Sequence, residues 1–366
     1  MAFTPDGRIL ATERTGRVRV IQNGALHAEP WATLAVFAVD TPWMPESGLL
    51  GIALAPDYAD SRHVYLYGTF RKPSGRAGDL WRRLLAIVSP ARASRFENRV
   101  YRFTDRGERG ADSLLVIGGL PANALHAGGA LAFGPDGMLY LTTGDTQHPA
   151  SAPRVATLAG KVLRFRPDGG IPADNPVAGS PVFARGLRNS QGLAWEPVTG
   201  TLFAIEHGPT GMEPEGGRSG HDELNVIEPS AHYGWPDAIG RDTAGGSRPP
   251  VRVWSAAIAP AGLTLYQGSE RLWRGNLFVT GLTGVQLRRL VVEQVSAPSR
   301  WRVIYDEPLL TGRYGRLRAV AAAPDGSLYV GTSNRDGRGS PGPADDLLLR
   351  LVPLSCDQPG RAIRTC

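Results

Sequence analysis

Residues 126–145, HAGGALAFGPDGMLYLTTGD, place a histidine before two glycines, cross a Pro-Asp-Gly turn and end a second apolar run on an aspartate. If residues 134–137 form the turn of a hairpin, Phe133 faces Met138, and counting outward puts His126 opposite Asp145. Cross-strand partners have Cβ atoms roughly 4.5–5.5 Å apart, close enough for an imidazole to meet a carboxylate. A carboxylate on one ring nitrogen selects the tautomer and raises the basicity of the other nitrogen, as a general base requires. Taken alone, a hydrogen-bonded histidine at a strand end is more often structural than catalytic, and the adjacent glycines allow a bulge that shifts the pairing by one residue.

The same count on other hairpins changes that balance. Around WEPVTGT, with Trp195 facing Thr201, Arg188 and Asn189 fall opposite Gly208 and His207. Around AAPDGS, with Ala322 facing Ser327, Arg316 and Arg318 fall opposite Ser333 and Gly331. Glu46 of PESGLLG also precedes its strand at the end away from the turn. All these groups are expected at one end of their hairpins, where they would converge on one pocket. Three guanidinium groups suit a planar or multiply anionic ligand, because their forks match carboxylates. The backbone carbonyls of EHGPTG at 206–211 and the carboxylates of Asp222 and Glu223 could serve a hard cation such as calcium, although an Asp-Glu pair is more often merely solvated. No Ser or Cys nucleophile motif, phosphate loop or zinc spacing is present.

The elements that must position these residues are short β-type runs between Gly, Pro and Asp punctuation, and helical periodicity is nearly absent. A strand-turn-strand phrase begins at residues 1, 51, 129, 192, 262 and 319, at spacings of about 50–80 residues. Between the hairpins lie further strand-like runs, each placed after its hairpin: RVRVIQNG, KVLRFRPDG, DELNVIEP, QLRRLVVE and DLLLRLVP. A hairpin with added outer strands is a propeller blade, so the expected fold is all-β, a six-bladed β-propeller with four-stranded antiparallel blades, one domain over 1–353. A β-sandwich is the competing architecture. Gly and Ala in GGALAF, GLAW and AVAAA leave room where blades converge on an axis. The first repeat starts at Met1 inside an expected strand, so an earlier true start is expected, with DLLLRLVP as the candidate for closing the ring.

The 366 residues carry 42% hydrophobic and 20% charged residues, enough apolar material for a packed core. The net charge of +6 comes almost wholly from arginine without a long basic run, which argues against nucleic-acid binding. No apolar run approaches the roughly 18 residues a membrane span needs, and no leader precedes MAFTPDGR, so any export signal is expected outside this sequence. The only cysteines, Cys356 and Cys366, lie in the tail 354–366, where a small disulfide loop and two free thiols both remain open.

GLLGIALAPDY, HAGGALAFGPDGMLYLTTGD, LAGKVLRFRPDG, GLRNSQGLAW, EHGP, DELNVIEPSAHYGWP, APAGLTLY and LRAVAAAPDGSLYVGTSN together resemble the soluble PQQ-dependent glucose/sorbosone dehydrogenases, especially their aldose sugar dehydrogenase branch. The likeness runs from Phe3 to about Pro353, with the motifs in the family's order. It implies a periplasmic or secreted quinoprotein, monomeric or homodimeric, that uses pyrroloquinoline quinone (PQQ) and calcium. Its small-molecule substrate would be an aldose, oxidised at C1 to the lactone for an unidentified electron acceptor. By position, His126 would be the general base with hydride passing to C5 of PQQ, and Asp145 would orient it. Arg188 and Asn189 would contact the quinone oxygens, Arg316 and Arg318 the cofactor carboxylates, and Glu46 and His207 would lie beside the cofactor. The Gly208 and Pro209 carbonyls would bind the catalytic calcium, and Asp222 and Glu223 a possible second one. Thr283 stands where the soluble glucose dehydrogenases carry a cofactor-binding lysine, and the stretch between EHGP and DELN is long for the family. Two other classes remain open: a non-catalytic binding propeller resembling hedgehog-interacting proteins, and a calcium-dependent propeller lactonase.

Overall fold

Asp, Gly and Pro close the hairpin turns, and the apolar runs beside them become strands. A computed structural model of the chain describes residues 1–38, 46–72, 94–211, 215–295 and 300–352, and these form six antiparallel sheets arranged as a six-bladed β-propeller. From the axis outward, blade 2 is Leu49–Leu54, His63–Arg71, Phe96–Asp105 and Gly110–Pro121. Blade 3 is Leu131–Phe133, Leu139–Thr143, Lys161–Phe165 and Val182–Arg185, and blade 4 is Ser190–Trp195, Leu202–Glu206, Asp222–Ile227 and Arg252–Trp254. Blade 5 is Pro260–Leu265, Leu277–Gly281, Gln286–Gln294 and Trp301–Leu309. Blade 1 carries two short outer pieces, Ala25–Leu26 and Ala32–Thr33, beyond Ala2–Phe3, Ile9–Thr12 and Arg17–Gln22. Blade 6 has three strands among the described residues, Leu317–Ala322, Leu328–Thr332 and Leu348–Leu351. Cys356 and Cys366 lie outside the described residues.

The core lies between blades rather than within them. Tyr67, Val100 and Ile117 of blade 2 pack on Leu141 and Leu163 of blade 3, and Phe203 and Leu224 of blade 4 pack on Leu265, Leu277 and Val279 of blade 5. Each fully buried side chain of this kind stabilises by about 1.5–3 kcal/mol, and each cluster spans two neighbouring blades. The ring therefore holds together as a whole.

Ring closure differs from the expectation. Leu348–Leu351 is the third strand of blade 6, and no N-terminal strand pairs with it among the described residues. Ala2–Phe3 instead turns back through Thr4–Arg8 onto Ile9–Thr12, because a local hairpin is entropically cheaper than pairing with a strand more than 300 residues away. Blades 6 and 1 meet through side chains, with the rings of Phe3 and Tyr329 5.4 Å apart.

Register is also displaced by one residue beside three turns. Phe133 pairs with Leu139, Trp195 with Leu202 and Ala322 with Leu328, rather than with Met138, Thr201 and Ser327. Each turn holds one more residue than the simple count allows, as where Gly134 N–H meets the Met138 carbonyl at 2.9 Å. In blades 4 and 6 a bulge then reverses the displacement, at Gln191 and at Arg318. Beyond it Ser190 pairs with Glu206, and the Ser333 amide donates to the Arg316 carbonyl at 2.8 Å, so the polar ends arrive where the count put them.

Candidate active site

The segment His126–Gly128 leaves the ladder of blade 3, which resumes where the Gly129 amide donates to the Thr142 carbonyl at 3.3 Å. His126 adopts φ 53°, a left-handed conformation that costs a residue with a Cβ roughly 1–2 kcal/mol, and Gly128 and Gly129 follow at φ 69° and 117°. Side chains from other blades hold it there. The His126 amide donates to Glu46 Oε2 at 2.8 Å, the Gly128 amide donates to Asn189 Oδ1 at 3.0 Å, and Asn189 Nδ2 donates to the same Glu46 oxygen at 3.1 Å. Glu46, ahead of blade 2, and Asn189, at the start of blade 4, thus clasp the histidine from both sides.

This detour joins the predicted pair. His126 Nδ1 lies 2.6 Å from Asp145 Oδ1, with both side chains buried. The Asp145 carboxylate also accepts from Trp235 Nε1 at 2.8 Å and from the Gln147 amide at 2.9 Å. Those partners are pure donors, so the carboxylate is an acceptor throughout and Nδ1 carries the proton. The lone pair is then on Nε2, which no described residue engages.

Burial alone would push the Glu46 carboxyl up, but the charges of His126, His207 and Arg338 and the His126 amide outweigh it and hold it at about 2. Arg338, unmarked by any sequence signal, reaches Glu46 Oε1 at 3.3 Å from the loop after Leu328–Thr332. Arg188 is 1% exposed, and its Nε donates to Glu215 Oε1 at 2.6 Å while the guanidinium lies 5.6 Å from the Trp235 ring centroid. Arg316 donates from Nε to Asp336 at 2.8 Å. Arg318, the bulged residue of blade 6, meets only the neutral Gln191 Oε1, at 3.1 Å, and forms no ion pair among the described residues. Burial lowers its pKa against the opposing charges of Glu46 and Asp336, neither of which forms an ion pair with it.

His207, Gly208 and Pro209 line a small cavity with Glu206, Glu223 and Trp235. Glu206 and Glu223 are cross-strand partners. Burial and the facing charge of Glu223 push the Glu206 carboxyl well above the carboxylate range, and burial pushes Glu223 up to about 7. Glu206 Oε2 and His207 Nε2 are buried without a hydrogen-bond partner, and burial pushes His207 down to about 4. Asp222 points elsewhere. Its carboxylate accepts from the Gly208 amide at 2.8 Å, Ile258 at 2.7 Å and Ala259 at 2.8 Å, tying blade 4 to blade 5. Among the described residues no group of three or more His, Cys, Asp or Glu side chains is arranged to hold a metal ion. Thr283 is exposed on the turn after Leu277–Gly281, its amide bonded to the Ile258 carbonyl at 3.1 Å.

The family model described as Glucose / Sorbosone dehydrogenase matches residues 1–350. The chain belongs to this family. It is 30% identical over 361 residues to the aldose sugar dehydrogenase of Escherichia coli K12, covering 92% of this chain and 87% of that protein. A solved oxidoreductase (glucose dehydrogenase) from Thermus thermophilus is 41% identical with a TM-score of 0.80, covering 96% of this chain and 95% of that one. The PQQ-bound aldose sugar dehydrogenase from Streptomyces coelicolor is 33% identical with a TM-score of 0.76, covering 95% and 91%. As a glucose/sorbosone dehydrogenase family member the chain is an oxidoreductase of the sugar-dehydrogenase type.

Trp235, Glu215, Glu206 and Arg338 are the site neighbours that the sequence reading missed. Trp235 lies in HYGWP, a motif noted without a role. Glu215 lies within the long stretch between EHGP and DELN, and its carboxylate meets a guanidinium 27 residues away in sequence, which no local pattern announces.

Proposed function

We propose that this chain is a PQQ-dependent aldose sugar dehydrogenase that removes hydride from C1 and a proton from the C1 hydroxyl, giving the lactone. The observation that carries this reading is the His126–Asp145 pair, with Nδ1 held on a buried carboxylate and Nε2 without a partner among the described residues. The residues present fit the cofactor. Arg318 and Arg316 would hold its carboxylates, Arg188 and Asn189 its quinone oxygens, and Glu46 and His207 would lie beside it. The orphaned oxygen of Glu206, facing Glu223 next to Gly208 and Pro209, fits a hard cation, so calcium would sit with the two backbone carbonyls and Glu223. When bound, the quinone supplies the carbonyl carbon that accepts the hydride.

The chain's own part is proton transfer and charge. His126 Nε2 takes the hydroxyl proton, Asp145 keeps Nδ1–H in place and stabilises the imidazolium that forms, and Glu46 adds a second negative charge near the ring. Arg188, once its guanidinium faces the bound oxygens, stabilises negative charge developing on them. The family likeness also supports a periplasmic or secreted location, and no helix among the described residues is long and apolar enough to cross a membrane.

The test is reconstitution of the purified chain with PQQ and calcium, followed by dye reduction with aldoses. Turnover is expected, and His126→Ala should lower kcat by about 10²–10⁴-fold. Lactone hydrolysis without quinone would point to a hydrolase, and neither activity to a binding propeller.

A further inference from the structure

We propose that Asn98 and Tyr67, both fully buried in blade 2, are positioning residues that aim His126 through the carbonyl of Ala127, an inference that rests on His126 being the base. The backbone groups of the detoured segment must find partners because the ladder no longer supplies them. Glu46 takes the His126 amide and Asn189 takes the Gly128 amide. The Ala127 carbonyl between them accepts from Asn98 Nδ2 at 3.1 Å and from Tyr67 OH at 3.3 Å.

The tether is itself fixed in two ways. Asn98 Nδ2 also donates to Tyr67 OH at 2.7 Å and to the Pro121 carbonyl at 3.0 Å, while Asn98 Oδ1 accepts from Thr69 Oγ1 at 2.7 Å. Tyr67 OH lies 3.3 Å from the Thr142 carbonyl as well, on the strand that leads to Asp145. One phenol thus touches both arms of the dyad, the residue after the base and the strand before its acid. The blade interface needs only apolar packing at this depth, where Tyr67 sits among Val100, Leu120 and Leu141. Two buried polar side chains cost desolvation there unless paired, and their pairing converges on a carbonyl adjacent to the base. A left-handed histidine is not a resting conformation, so without this anchor the segment has reason to relax and carry Nε2 away from its aim.

The test uses Asn98→Leu and Tyr67→Phe, with two readouts. In the PQQ-loaded enzyme, Asn98→Leu should lower kcat by roughly 10²-fold while KM changes by less than about threefold, because neither side chain touches the substrate. Tyr67→Phe should lower kcat by about tenfold, and the double variant should be no worse than Asn98→Leu within about threefold, since both act on one carbonyl. In the apoprotein, the downfield Nδ1–H proton resonance of His126, assigned by its loss in His126→Gln, should broaden or move in both variants. A folded Asn98→Leu or Tyr67→Phe protein with unchanged resonance and kcat would overturn the proposal, as would equal losses in kcat, KM and quinone affinity. Should Asn98→Leu fail to fold, Tyr67→Phe, which removes one oxygen, decides by the same readouts. If His126→Ala keeps its turnover, the functional reading fails, and the apoprotein resonance still decides the tether on its own.

Discussion

The two ends of the same blades are built by different rules. At the turn end, Asp136 accepts from the Met138 amide at 3.1 Å and Tyr140 OH at 2.9 Å, Glu196 from the Val198 and Thr199 amides at 3.1 and 2.7 Å, and Asp325 from the Ser327 amide at 2.9 Å. These partners lie within four residues. At the mouth, Glu46 meets the His126 amide 80 residues away and Asn189 143 residues away, and Asp145 meets Trp235 across 90 residues. Local polar bonding makes each hairpin; the mouth exists only once the ring has closed. The proposed active site therefore sits where the chain is least locally determined, and the strain at His126 persists because blades 2, 3 and 4 hold it together.

The contrast is broken most strongly at Gly144. A Cβ there would be driven into the carbonyl of His126, so Gly144→Ala should separate the dyad and lower kcat by roughly 10²-fold, with far-UV circular dichroism unchanged. A folded Gly144→Ala enzyme with normal kcat would mean that the mouth tolerates what its packing forbids.

Asp105 sharpens the comparison, because it is a long-range cluster at the turn end. Its carboxylate takes Arg8 Nη2 at 2.6 Å, Trp31 Nε1 at 2.8 Å and Tyr58 OH, and leaves nothing facing a cavity. Asp105→Asn should cost about 2 kcal/mol in urea unfolding and leave kcat within twofold. Its charge also sets a pH signature. Burial pushes the carboxyl up, but Arg8, Tyr58 and Trp31 outweigh that and lower it below its ordinary value of 3.8. The stability it contributes is complete above the unfolded-state pKa near 4 and is lost as pH falls through the lower folded value. Urea midpoints measured below about pH 4 should fall less steeply in Asp105→Asn than in the parent.

The smallest effect is expected at Asp136, a local turn residue that also meets Arg164 at 2.9 Å. Asp136→Ala should cost about 1 kcal/mol in the same titration and leave kcat unchanged. A large activity loss there would erase the division between the two ends.

This division also explains what could be read from the amino acids alone. The blades were legible because strand, turn and strand repeat locally, and Arg188, Asn189 and Arg316 were legible because they continue those hairpins, whereas His126 meets Asp145 through the detour before blade 3 rather than as a ladder partner. The count succeeded partly through cancellation, since an extra turn residue and a later bulge displace the register in opposite senses. Arg318 fell on the bulge itself, so the partner expected for it, Gly331, pairs with Ala319 instead. Trp235, Glu215, Arg338, Asn98 and Tyr67 reach the site from other segments or loops, and hydrophobic periodicity carries no trace of them. Closure by Phe3 against Tyr329 was hidden for the same reason, as it is a side-chain contact between the chain's extremes.

The most direct measurement of the central claim is a single turnover of the PQQ-loaded protein on an aldose deuterated at C1, in the parent chain and in His126→Asn. The account predicts a primary isotope effect in the parent and a rate lowered by at least about 10²-fold in His126→Asn. Oxidation by His126→Asn at the parental rate, or turnover of the parent chain insensitive to C1 deuteration, would contradict it.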